Sequence, residues 1–154
     1  MQLADFLDCD AIKTALPGGN KRSLMKQLAD IAAQRLGVDS GTVHAALNER
    51  EQLGSTGFGQ GVAIPHAKIE GLERLYGLFA RLAEPVDYKA IDGRPVDLVF
   101  LLLSPPDAGA EHLKALAAIS RVTRDAATLD RLRGARSRDA LAALLMGADE
   151  LDAA

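Results

Sequence analysis

The sequence contains a single cysteine, Cys9, and no tryptophan, and only 4% of its residues are aromatic. One cysteine cannot form an internal disulfide, which is typical of proteins from a reducing compartment. The N-terminal segment carries Asp5, Asp8 and Asp10, whereas a secretion signal has basic residues followed by an apolar run. These absences predict a cytoplasmic protein.

Long hydrophobic runs are also missing. The most apolar stretch, Leu98 to Leu103, is far shorter than the ~20 residues that a membrane helix needs. The formal net charge is only -3, and the pI is about 5.6, so there is no general attraction to nucleic acid or to anionic membranes. We therefore expect no nucleic-acid partner and no membrane insertion, and any anion site must come from local placement of residues.

The C-terminal third nevertheless has many arginines, which could suggest a nucleic-acid surface. Acidic residues at positions 125, 130 and 139 alternate with them, so we interpret this region as a solvated helical face. The arginines are Arg121, Arg124, Arg131, Arg133, Arg136 and Arg138.

A chain of 154 residues with 48% hydrophobic residues predicts one domain, which we place at 1–147 and follow with a loose acidic tail at 148–154. Apolar periodicity and capping residues predict helices at 20–36, 40–53, from about 110, 127–133 and 137–146. β-branched and apolar runs predict strands at 62–64, 75–82, 86–88 and 96–103. This order indicates an α/β fold with a small mixed β-sheet sandwiched between helices.

Glycines and apolar residues set further expectations for the helices. Asn20 can cap the first helix, and Gly37 can end it. Gly147 is expected to end the last helix. The inner positions of the second helix are predicted to be Val43, Leu47 and Leu53, and those of the helix after the central strand to be Leu113, Leu116, Ile119 and Val122.

The stretch from Gly54 to Lys68 has four glycines followed by a short apolar run, Pro65 and His66. It lacks the Gly-Lys-Ser/Thr of a Walker loop, and Val62 stands where a Rossmann loop needs its third glycine, so it is not interpreted as a nucleotide site. The glycines either let backbone amides approach an anion or allow tight turns. Pro65 makes the approach to His66 stiff, because it restricts the residue before it to extended geometry.

We predict that His66 accepts a phosphoryl group. A neutral imidazole can attack phosphorus if its other nitrogen is held by a hydrogen bond, and the phosphoryl oxygens then need donors. The candidate donors are Arg50, on the apolar stripe of the second helix, His112, in the first turn of a later helix, and backbone amides of the loop or of that helix start. Arg50 could instead reach solvent or pair with Glu49 or Glu51. Such a site needs no metal and no cofactor when the donor is already a phosphohistidine.

Other titratable residues have simpler interpretations. His44 is expected to be a surface or boundary histidine. A metal site built from His66, His112 and Cys9 lacks any familiar ligand spacing, so no metal site is predicted.

Three segments of this sequence resemble the IIA proteins of the bacterial phosphotransferase system. They are Glu49-Arg50-Glu51, the run Leu53-Gly54-Ser55-Thr56-Gly57-Phe58-Gly59-Gln60-Gly61-Val62-Ala63-Ile64-Pro65-His66, and Glu111-His112-Leu113-Lys114-Ala115-Leu116. The resemblance covers Leu3 to about Leu145 and is closer to the nitrogen-regulatory branch, EIIA-Ntr, than to the fructose and mannitol branch. It departs at Ala67, where a glycine is common.

The resemblance implies that His66 carries the phosphoryl group on Nε2, that Arg50 contacts this group and that His112 supports it. It also implies an HPr-like donor, called NPr, that is charged by Enzyme I, and regulatory partners that respond to the phosphorylation state. One alternative is a fructose- or mannitol-type IIA component that passes phosphate to a IIB domain. Another is a binding module in which His66 is only structural.

Overall fold

Two layers of helices cover the two faces of one mixed sheet in the computed structural model, which describes the backbone of residues 1–151 and the side chains of residues 1–147. The strands are β1 (Lys13–Leu16), β2 (Gly57–Gly59), β3 (Val62–Ala63), β4 (His66–Lys68), β5 (Tyr76–Val86) and β6 (Val96–Ser104). The helices are α1 (Lys21–Leu36), α2 (Ser40–Gln52), α3 (Ala110–Thr123), α4 (Ala126–Gly134) and α5 (Arg138–Leu151). The predicted α/β sandwich is confirmed.

The strand order is β1-β5-β6-β3-β2, and β4 also pairs with β6. β5 and β6 run antiparallel, whereas β1 is parallel to β5, and β3 and β4 are parallel to β6. β6 is therefore the central strand, as its apolar run from Leu98 to Leu103 predicts.

Side chains alternate between two apolar clusters on opposite faces of the sheet. Leu101 of β6 packs with Leu28 of α1 and Leu47 of α2, whereas Phe100, one residue earlier, packs with Ile119 of α3 and Leu141 of α5. This alternation follows from the two-residue period of a strand. It explains why β6 is apolar without alternation from Leu98 to Leu103.

The first helix is capped as predicted, and the second has a similar N-terminal cap. The Asn20 side chain accepts a hydrogen bond from Ser23 N at 2.8 Å, and the Asp39 side chain accepts one from Thr42 N at 2.9 Å. Gly37 ends α1 in the left-handed conformation with φ of 71°. α1 therefore ends and α2 begins at fixed points, which sets the position of α2 along the chain.

Several boundaries differ from the predictions. β1 was not predicted, and the two strands predicted at 75–82 and 86–88 are one strand, β5. A register shift between Arg81 and Val86 accommodates Pro85 within it. α5 continues through Gly147 to Leu151, so Gly147 does not end the helix. The remainder of the predicted tail, residues 152–154, lies outside the described residues.

Two leucines predicted to be inner residues are exposed. Leu53 is 82% exposed just past α2, and Leu113 is 66% exposed in α3, where Ala115 and Ala118 are buried instead. Val43, Leu47, Ile119 and Val122 are buried as predicted, whereas Leu53 lies past the end of α2 beside an open cavity and Leu113 lies in the first turn of α3, next to His112. Among residues 1–151, no helix has the length and apolar content needed to cross a membrane.

Candidate functional site

β3 and β4 are one strand interrupted by Pro65. Val62 pairs with Leu98 and His66 pairs with Leu102, so both short strands keep the same register along β6. Pro65 has no N–H to donate, although its carbonyl still accepts from Leu102 N at 3.0 Å. The interruption places His66 at the start of β4, near the end of the central strand.

The glycines before this point form turns and close contacts. Gln60 and Gly61, both with positive φ, make a two-residue turn between β2 and β3. Gly61 O accepts from Asp97 N at the start of β6, whereas His66 pairs near the end of that strand. Of the two interpretations of these glycines, the structure thus favours tight turns.

The two ring nitrogens of His66 have different partners. Nδ1 lies 2.8 Å from the carbonyl oxygen of Ile64, and because a carbonyl can only accept, Nδ1 carries the proton. Nε2 is then the acceptor, and it receives a hydrogen bond from Arg50 Nε at 3.2 Å. Nε2 is therefore the unprotonated nitrogen, and its lone pair faces Arg50 at the edge of the cavity.

Arg50 is in the last turn of α2 and points toward His66. Its Nη1 atom also donates to Gly54 O at 3.0 Å, which anchors the guanidinium from the other side. Arg50 thus binds His66 and the loop, while Glu51, one of the acids considered as its partner, pairs with Lys21.

His112 lies in the first turn of α3, beside His66. The two ring centroids are 5.6 Å apart, with an angle of 54° between the planes. The Nδ1 atom of His112 lies 2.6 Å from Oγ of Ser104, the fully buried last residue of β6. The Ser104 hydroxyl thus fixes the His112 ring.

Arg50, His66 and His112 line a cavity of about 530 Å³ that opens to solvent. The positively charged groups in its lining favour an anion. The other lining residues are Ala46, Glu49, Leu53, Ala67 and Lys68.

The pKa of His66 is lowered from its usual 6.5 because the ring is buried and because Arg50 is close, although the Ile64 carbonyl opposes this shift. The pKa of His112 is also lowered, by burial and then by the nearby His66 and Lys68. Both rings are therefore neutral at pH 7. A neutral His66 is the form that can act as a nucleophile.

The sequence did not single out a group of residues behind the loop. Glu51 accepts hydrogen bonds from Thr56 and Tyr88 and forms a 2.8 Å ion pair with Lys21. Burial raises the pKa of Glu51, but the hydrogen bonds from Lys21 and Thr56 outweigh it and lower that pKa below its usual value. The only signal in the sequence was the position of Glu51 between Arg50 and the glycine loop.

The remaining sequence expectations concern Ala67, His44 and Cys9. Ala67 is a buried residue of β4 and does not have positive φ, so alanine in place of glycine is not strained here. His44 is half-buried, and its Nε2 lies 3.3 Å from Asn48 Nδ2. Cys9 Sγ contacts Met146 Sδ at 3.9 Å and does not line the cavity. Within the described part of the chain, no three His, Cys, Asp or Glu side chains are grouped so that they could hold a metal ion.

The sequence is similar to known proteins over nearly its whole length. Residues 5–147 match the family described as "Phosphoenolpyruvate-dependent sugar phosphotransferase system, EIIA 2". A "Nitrogen regulatory protein" of Bradyrhizobium diazoefficiens is 46% identical over 145 residues, which cover 94% of this chain and 95% of that protein.

Two solved structures are similar to the whole fold. The nitrogen regulatory protein IIA-Ntr from Neisseria meningitidis is 34% identical, has a TM-score of 0.87 and covers 93% of this chain and 98% of its own. The IIA mannitol structure from Escherichia coli is 19% identical, with a TM-score of 0.74, and covers 90% of this chain and 97% of its own. At that identity, the second likeness concerns the fold alone.

Proposed function

Because the chain belongs to the EIIA 2 family of the phosphoenolpyruvate-dependent sugar phosphotransferase system, we propose that His66 accepts a phosphoryl group on Nε2 from an HPr-like donor, NPr. The observation that carries this proposal is the division of roles within the His66 ring, with Nδ1–H bound to Ile64 O and Nε2 facing the cavity beside Arg50. Enzyme I would charge the donor.

The transfer is an exchange between two imidazoles. The lone pair of His66 Nε2 attacks phosphorus while the P–N bond of the donor phosphohistidine breaks, and that electron pair returns to the donor ring. The proton on His66 Nδ1 stays in place, and the Ile64 carbonyl stabilises the positive charge that the ring acquires. No metal ion takes part in this scheme.

Arg50 and His112 then act on the phosphoryl oxygens. Arg50 Nε, which donates to Nε2 in this structure, is free to bind an oxygen once Nε2 carries phosphorus. If the Ser104 hydroxyl donates to His112 Nδ1, then His112 Nε2–H is a second donor that faces the cavity. Both groups stabilise charge on the transferring group.

The phosphorylation state of His66 would regulate partner proteins, since the 46% identical relative and the Neisseria structure are both named nitrogen regulatory proteins. In the alternative, a sugar-type IIA component, the phosphoryl group would move on to a cysteine of a IIB domain. Rapid transfer to such a cysteine would favour that alternative. In a pure binding module, partner affinity in a calorimetric titration would be the same with and without phosphate.

The test is phosphoryl uptake from phosphoenolpyruvate in the presence of Enzyme I and NPr. We expect the wild type to gain one acid-labile phosphate and His66→Ala to gain none. His44→Ala is the matched control and should behave as the wild type, because His44 contacts Asn48 and is not part of the cavity. Full uptake by His66→Ala would contradict the proposal.

A further inference from the structure

The position of the Ile64 carbonyl decides which nitrogen of His66 is protonated. This oxygen is 2.8 Å from His66 Nδ1. The same residue donates its N–H to Thr56 O at 2.9 Å, while Pro65, which follows it, has no N–H with which to fix the chain. Thr56 therefore holds the chain directly before the Ile64 carbonyl, and Leu102, which donates to Pro65 O, holds it directly after.

Thr56 is in turn held by Glu51. Its backbone N–H lies 3.2 Å from both carboxylate oxygens, and its hydroxyl hydrogen-bonds to Glu51 Oε1 as well. The Thr56 hydroxyl also lies 2.7 Å from the hydroxyl of Tyr88, which donates to Glu51 Oε1 at 3.1 Å. Both Thr56 and Tyr88 are buried, so water does not compete for these bonds.

Lys21 keeps this carboxylate charged. Its Nζ atom is 2.8 Å from Glu51 Oε2 and lies 4.3 Å from the centre of the Tyr88 ring. The Glu51 side chain is 8% exposed, so without such a partner its negative charge would be costly. The Glu51 carboxylate thus has a cation, Lys21, and hydrogen-bond donors from Thr56 and Tyr88, which together fix its position.

We propose that Glu51 is a positioning residue that selects the Nδ1–H tautomer of His66 through Thr56 and Ile64. Direct hydrogen bonds connect the Glu51 carboxylate to Thr56, Thr56 to Ile64, and the Ile64 carbonyl to Nδ1 of His66. The effect of Glu51 on phosphorylation rests on the proposed function of His66, whereas its effect on the tautomer does not.

The first measurement is the tautomer of His66, by ¹⁵N NMR of the imidazole nitrogens. The chain has only three histidines, so their signals can be assigned with single His→Gln variants. We expect the wild type to hold His66 as the Nδ1–H tautomer. Glu51→Gln should give a mixture of tautomers, because one amide oxygen replaces two carboxylate oxygens and the amide N–H₂ group faces Lys21.

The second measurement is the phosphorylation rate with NPr as donor. Glu51→Gln should slow it roughly ten- to a hundredfold, since a small displacement of a nucleophile is enough for such a loss. Thr56→Val keeps the backbone N–H and carbonyl but removes the hydroxyl that also binds Glu51, so it should change the tautomer and the rate in the same direction but by less. Thr56→Ser should have the wild-type tautomer and rate, because serine keeps the hydroxyl.

Asp8→Asn is the matched control for lost stability. Asp8 is also a nearly buried carboxylate, 13% exposed, that binds a cation, Arg35, and a tyrosine hydroxyl, that of Tyr76. Loss of the Asp8 negative charge should lower the stability of the protein without changing the His66 tautomer.

A single Nδ1–H tautomer and a wild-type rate in both Glu51→Gln and Thr56→Val would overturn the proposal. If Glu51→Gln does not fold, Thr56→Val alone decides. A changed tautomer in a protein whose His66→Ala variant still takes up phosphate would leave Glu51 as the positioning residue and reject the proposed function instead.

Discussion

At the scale of single residues, Arg50 joins the proposed phosphoryl site at His66 to the loop that precedes it. Its guanidinium donates through Nε to His66 and through Nη1 to Gly54 O. The second bond leaves the group tethered when the first is exchanged for a phosphoryl oxygen. Arg50 therefore has only a short distance to move during transfer.

Replacing Arg50 by alanine should slow phosphorylation by about 10²–10³, the effect of removing one donor to a developing charge. The free energy of unfolding should change by less than about 1 kcal/mol, because a half-exposed arginine contributes little to folding. Rapid-quench kinetics with phosphorylated NPr and thermal unfolding would measure the two effects.

Arg50→Lys is the informative control. Lysine keeps the charge but is a single point donor, so it cannot hold Gly54 O and a phosphoryl oxygen together, and only part of the rate should return. A variant Arg50→Ala that loses stability yet phosphorylates at the wild-type rate would show that Arg50 is only structural.

The sequence predicted His66, Arg50 and His112 as site residues because short motifs and helix faces carry them. It did not reveal Glu51 or Ser104. Ser104 is the last residue of a strand, and its contact with His112 depends on how α3 turns back over the sheet. Contacts of this kind are made by tertiary packing, which local patterns do not encode.

At the scale of elements, the strands were harder to predict than the helices. α1 and α2 have capping residues and a clear apolar period, and β6 has an unbroken apolar run. β1 has only four residues, of which one is buried, so it shows little alternation. Its strand geometry comes from pairing with β5, a partner more than sixty residues away in the sequence.

Gly77 of β5 lies against Phe6, so a substitution at Gly77 tests how tightly the N-terminal segment packs on the sheet. A Cβ atom added there would lie 2.6 Å from Cδ2 of the buried Phe6 ring. The backbones of Gly77 and Phe6 are also hydrogen-bonded, which prevents them from separating. Gly77→Ala should therefore destabilise the protein by roughly 1–3 kcal/mol, which would be measured as a lower Tm.

Gly134→Ala is the control, because it should not lower stability as Gly77→Ala does. Gly134 is the last residue of α4, does not have positive φ and has nothing within 4 Å of an added Cβ atom. Alanine should leave stability unchanged or raise it by up to about 1 kcal/mol. An equal Tm for Gly77→Ala and the wild type would mean that the N-terminal segment adjusts easily.

At the scale of the whole molecule, the exposed leucines next to the cavity indicate where a donor protein would dock. Leu53 lines the cavity, and Leu113 directly follows His112 in α3. Large apolar side chains that are exposed around a site often mark a surface that a partner covers. The proposed donor protein would bring its phosphohistidine against His66 and would then cover these leucines.

Leu53→Asp should therefore weaken donor docking much more than it slows the chemistry. We expect the NPr concentration that gives the half-maximal rate to rise about tenfold or more, which corresponds to about 1.4 kcal/mol of binding free energy. The rate with phosphoramidate, a small phosphoryl donor that needs no protein surface, should fall much less, because only the added charge at the cavity rim affects it.

Ile91→Asp is the matched control, because Ile91 is 81% exposed, almost the same as Leu53 at 82%, but does not line the cavity. It should leave both rates unchanged. If Leu53→Asp slows phosphoramidate and NPr equally, the leucine acts on the site itself and not on docking. If Ile91→Asp raises the NPr requirement as much as Leu53→Asp does, the donor covers a far wider surface than the rim of the cavity.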